Sequence, residues 1–173
     1  MSPIRIGINA ALLLFIFTIQ ETVISRIQLP ITGFSLYLAA LVLMVILENR
    51  TGAVILGFVG GLVLDLSPSS QSPFGQWALI LTAISYIIAV NAESVDEIIS
   101  RPVGLGLFVA LGASLALIAY LIMDSLLGQP TGTFGRDVIV IAGNLFWTML
   151  IAPFLMPIFT AFREATIGSR ERI

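Results

Sequence analysis

The chain has 173 residues, 58% of them apolar and 10% charged, with a mean hydropathy of +1.06 and a formal net charge of −2. A soluble domain is roughly a quarter charged, so bilayer lipid is the expected solvent, and the thin spread of charge leaves no footprint for nucleic acid. Cys, His and Lys are all absent, which excludes disulfides, thiolate and imidazole metal sites, Ser-His-Asp and Cys-His catalysis, and a Schiff-base or phosphate-loop lysine.

The expectation is therefore an all-α integral membrane protein that is not an enzyme and holds no cofactor or metal. A crossing helix needs about 20 mostly apolar residues. Six candidate spans lie at about 4–23, 30–47, 52–67, 74–91, 103–127 and 137–162, forming one polytopic domain. In the first, Arg5 precedes an apolar run from Ile6 to Ile19, which reads as a retained span rather than a signal peptide because Gln20-Glu21 follows the run without a small-residue cleavage pattern. The second and third have short apolar cores, Phe34 to Leu47 and Ala53 to Leu64. They cross only if Pro30, Thr32, Gly33 and Ser67 lie in the interface; the alternative is a re-entrant pair of half-spans. Between the fourth and fifth spans, residues 92–102 (AESVDEIISRP) read as an acidic solvated connector. Residues 128–136 (GQPTGTFGR) read as a turn-rich one. The sequon Asn49-Arg50-Thr51 sits in a tight turn and reads as chance.

Arginine sets the orientation. With both termini inside, Arg5, Arg50, Arg101, Arg163, Arg170 and Arg172 are cytoplasmic, against Arg26 and Arg136 outside. That distribution obeys the positive-inside rule, so the expected topology is N-in and C-in, with the arginines of the C-terminal tail against anionic lipid.

The third span carries the most information. Ala53, Gly57, Gly61 and Asp65 recur every four residues and so share one helix face. Small residues on a face let a neighbouring helix approach closely. Asp65 ends that face at a helix C-terminus, where the dipole disfavours an anion. It is expected to pair with Arg26 or Arg136, or to accept hydrogen bonds from the Ser67–Ser72 loop. Glu21, Asp65, Asp124 and Asp137 fall at one end, as a rim rather than a conduction route. Asn144 and Ser85, nearer mid-membrane, are candidates for hydrogen bonds between helices. Pro153 and Pro157 interrupt the last span and bend one face of it.

The pattern Gly52-x4-Gly57-Phe58-x2-Gly61-Leu62-x2-Asp65, followed by Gly75-x2-Ala78-Leu79, resembles the core signature of the bacterial rod-shape-determining MreD family. Gln20-x5-Arg26 before a Pro/Gly turn, the six short-looped spans and the length fit the same family. One position departs: the family often opens its second span with Pro-Asp-Leu, and this chain has Phe34-Ser35-Leu36. The resemblance implies a non-catalytic multi-pass protein of the cell membrane, with a fold similar to the six-helix substrate-binding subunit of energy-coupling-factor transporters. It implies partnership with a single-span MreC-like protein, a SEDS-family glycosyltransferase, a class B penicillin-binding protein and MreB filaments in peptidoglycan synthesis during cell elongation. The residues expected to carry helix packing and partner binding are Gly57, Phe58, Gly61, Leu62, Asp65 and Gly75, with Arg26, Arg136 and Asn144 as polar anchors. A small-solute, vitamin-like binding subunit of a transporter is the alternative.

Overall fold

A computed structural model describes residues 3–26, 33–67, 73–129 and 133–168. Those residues are helical wherever they are regular: α1 (Pro3–Thr22), a 3₁₀ turn at Ile24–Arg26, α2 (Leu36–Ile46), α3 (Arg50–Asp65), α4 (Gln76–Val90), α5 (Ala92–Ile99), α6 (Pro102–Leu126) and α7 (Phe134–Gly168).

Among the described residues, three helices are long and apolar enough to cross a bilayer: α1, α6 and α7. The bent pair α4 and α5 makes a fourth if counted as one broken span. Large apolar side chains project outward from them, among them Phe154 at 74% exposure and Phe134 at 83%. Such a surface suits lipid and not water. Of the six expected spans, the second and third, whose apolar cores are short in the sequence, fall on the short helices α2 and α3. At ~1.5 Å per residue, α2 extends only about 16 Å and α3 about 24 Å, against a hydrocarbon thickness of about 30 Å.

The short helix α2 is the core. Every residue from Tyr37 to Val45 is buried, so it is apolar on all sides because it has no outer side. It packs on α1, α3, α4, α6 and α7. The expected span 30–47 begins later than its apolar run suggests: Gly33 has φ +111°, and Ser35 caps the helix by accepting the Leu38 amide at 3.2 Å. Pro30 and Thr32 lie outside the described residues. At its other end α2 turns tightly into α3, where Asn49 accepts the Gly52 amide at 2.8 Å. The sequon asparagine is thus a helix cap.

The connector expected at 92–102 is helical. After Asn91 the chain bends by 83° into α5. There Val95 is buried, while Glu93, Asp96 and Glu97 are exposed. α7 runs unbroken through Pro153 and Pro157. Proline at 153 has no amide to offer the Met149 carbonyl, and Gly106 of α6 fills the gap: a Cβ there would lie 2.5 Å from that carbonyl oxygen.

Apart from α5, the helices alternate in direction. Arg5, Glu48 and Arg163 line one small cavity at one end. Glu21, Ser67, Trp77 and Asp137 line another at the opposite end. α1 therefore begins on the side where α7 approaches its C-terminus. Arg170 and Arg172 lie outside the described residues.

Candidate functional site

The residues that carry the resemblance come together in one hairpin, α3 and α4, the most extensive helix pair in the fold. Gly57 and Gly61 face α4. A Cβ added to Gly57 would collide with the Ser85 hydroxyl and lie 2.6 Å from the Leu81 carbonyl. One added to Gly61 would collide with the Ala78 Cα and lie 2.5 Å from the Trp77 carbonyl. The adjacent Gly60 faces the other way, onto Leu41 of α2, and its carbonyl accepts the buried Tyr37 hydroxyl at 2.8 Å. Consecutive glycines thus let α3 lie close to a helix on each side.

Asp65 closes the hairpin. It is buried, and its two oxygens accept the backbone amides of Trp77 and Ala78, each at 2.9 Å. These are first-turn amides of α4, which have no partner within their own helix. The residue before that helix, Gly75, has φ +96° and no side chain with which to cap it. Asp65 caps the helix from a distance. The expected ion pair with Arg26 or Arg136 is corrected: the positive end of the α4 dipole balances the carboxylate, and both arginines are exposed. Residues 68–72 of the expected hydrogen-bonding loop lie outside the described residues.

Phe58 and Leu62 sit on a different face of α3. Phe58 is 49% exposed and Leu62 half-buried, while Gly57, Gly61 and Asp65 are turned inward. Within the signature, packing and outward display therefore fall to different side chains.

Asn144 is fully buried and joins three elements. Its Oδ1 accepts the Ser35 amide at 3.1 Å and the Thr148 hydroxyl at 3.4 Å, and its Nδ2 donates to Ser114 Oγ of α6 at 3.3 Å. Gln20 of α1 accepts the next amide, Leu36, at 2.8 Å. The N-terminus of the core helix is thus held by Gln20, Asn144 and its own Ser35. Serine is a good N-cap, and Ser35 serves as one here.

The acidic end holds a cavity of about 340 Å³ lined by Phe17, Glu21, Leu64, Ser67, Trp77, Tyr120 and Asp137, among others. Trp77 and Tyr120 stack there, with ring centroids 4.4 Å apart. Beside them Gln76 donates to Asp124 at 2.8 Å and to the Tyr120 carbonyl at 3.3 Å, tying the start of α4 to α6. Its side-chain carbonyl oxygen is buried with no hydrogen-bond partner among the described residues.

Glu48, which no sequence motif marks, is the acid of the opposite end. Its side chain is 5% exposed and pairs with Arg5 at 2.6 Å. The only signal for it was a lone carboxylate in the turn between two apolar runs. Comparison of the chain with protein-family models, with curated proteins and with solved structures gives no match.

Proposed function

We propose that the protein is a non-catalytic, multi-pass membrane scaffold of the bacterial cell-elongation complex. In this role it joins an MreC-like protein to wall-synthesis enzymes through helix contacts in the cell membrane. The observation that supports it is the assembly of Gly57, Gly61, Asp65, Gly75 and Ala78 into one hairpin. The resemblance rests on those residues, and together they form a rigid unit whose outward face carries Phe58. Six crossing segments, the short ones supported by their neighbours, and a fold similar to the six-helix transporter subunit belong to the same proposal.

Depletion in a rod-shaped host tests it: cells should round or widen, and unchanged width and shape would refute it. Phe58→Ala should weaken co-purification of the MreC-like partner and leave the thermal midpoint alone. Gly61→Leu should lower both.

The acidic-end cavity favours the second reading, a small-solute binding subunit. Its volume lies within the usual range of about 300–1,000 Å³ for ligand pockets, and its stacked rings and carboxylates suit a polar aromatic or cationic solute. A small molecule that co-elutes stoichiometrically with the purified protein, and is lost in Trp77→Ala, would favour this reading over the scaffold.

A further inference from the structure

At the end opposite the acidic rim, two features meet between α1 and α7. These helices are not packed against each other along their lengths. The gap between them is an apolar groove of about 210 Å³, walled by Leu12 and Phe15 of α1, Ala40 of α2, and Leu155 and Ile158 of α7. Phe15 and Ile158 are more than 60% exposed, so the groove opens sideways toward the lipid. Phe159 and Phe162 line the groove and also a second pocket of about 20 Å³, walled by Met44 and Leu47 and bounded on its polar side by Arg5, Asn9, Glu48 and Arg163. A cavity of that volume holds one water-sized group.

The polar pocket is built but incompletely satisfied. Glu48 Oε1 takes Arg5 at 2.6 Å and the Asn9 amide at 3.5 Å. Glu48 Oε2 is buried and has no hydrogen-bond partner among the described residues. A buried carboxylate oxygen without a donor is costly, and a donor small enough for the pocket would satisfy it. Arg163 stands exposed at its mouth. Arg5, Glu48 and Arg163 thus border one water-sized space, which shares Phe159 and Phe162 with the apolar groove.

We propose that this site holds one aminophospholipid, of which phosphatidylethanolamine is the type. Its primary ammonium donates to Glu48 Oε2, its phosphate lies on Arg163, and one acyl chain lies in the groove between α1 and α7. The chemistry selects against close alternatives. A trimethylammonium group has no N–H to donate and exceeds the pocket. A glycerol headgroup brings no positive charge to Glu48.

The test is native mass spectrometry of the full chain, released from nanodiscs containing equal amounts of phosphatidylethanolamine, phosphatidylcholine and phosphatidylglycerol with matched acyl chains. Phosphatidylethanolamine should be retained about tenfold over each of the others, a preference equal to one decade of affinity. Glu48→Gln should abolish that preference. Arg163→Gln, an exposed substitution that leaves the Arg5–Glu48 pair in place, should reduce retention of phosphatidylethanolamine and phosphatidylglycerol together. Equal retention of the three lipids by the unaltered protein would overturn the proposal. So would an undiminished preference in both variants, since a water would then satisfy Glu48.

Discussion

Asp65 accepts two consecutive amides of α4 through its two oxygens, a pairing that asparagine cannot copy. One of the two positions would become an NH₂ group facing an N–H. Asp65→Asn should therefore strand one buried donor and cost about 1–3 kcal/mol. Asp65→Ala strands both and should cost more. Thermal unfolding in detergent, followed by circular dichroism, orders them. An asparagine variant as stable as the parent would mean that the carboxylate is not the cap of α4. The charge at position 65 was visible in the sequence, as was its unfavourable place at a helix C-terminus. Its partner was not, because a backbone amide carries no residue signature, and arginine was the only positive group a sequence could offer. Glu48 shows the converse. Nothing local distinguished it from a solvated turn residue until α1 and α7 were folded around it.

At the scale of helices, Gly60 and Gly61 make a matched comparison. An alanine methyl at Gly61 would meet the backbone of Trp77 and Ala78, which cannot step aside. At Gly60 it would lie 2.7 Å from Leu41 Cδ1, the free end of a flexible side chain. Overpacking costs about 1–3 kcal/mol, and Gly61→Ala should fall at the upper end, Gly60→Ala at the lower. Equal midpoints for the two variants would contradict the close approach of α3 and α4. Gly106→Ala belongs with the severe class, because its methyl would press on the Met149 carbonyl that Pro153 leaves without its helical donor. α1 and α6 were legible to within a residue because each is a long apolar run, whereas α7 continues past the expected end at 162 to Gly168, and the fourfold spacing of small residues marked the α4-facing side of α3. The start of α2 was not legible. It is held by Gln20 and Asn144, which lie 16 and 109 residues away in the chain from the amides they accept. α5 was hidden for another reason. Its eight residues hold three acids and only a few apolar side chains, and it rests on α6.

Across the whole molecule, the fold sorts the arginines by end. Arg5 and Arg163 line one pocket, and Arg50 stacks over Tyr86 with its guanidinium carbon 5.5 Å from the ring centroid. Tyr86 lies one turn from the end of α4, and Arg101 stands at the start of α6, which places both on that same side. Arg26 follows α1 at the other end, and Arg136 lies in the first turn of α7 beside Asp137 of the acidic cavity. Four described arginines therefore face two, and the positive-inside rule predicts that the side of four faces the cytoplasm. The chain has no cysteine of its own, so a single introduced thiol reports its side without background. Asp96→Cys on α5 and Gln129→Cys in the turn after α6 lie at opposite ends. In intact cells a membrane-impermeant maleimide should label position 129 and spare position 96 until the membrane is opened. The reverse pattern would invert the protein in the membrane while keeping the fold. Labelling of both sites in sealed cells would be incompatible with α6 crossing the bilayer, and with it the antiparallel order on which both functional readings depend.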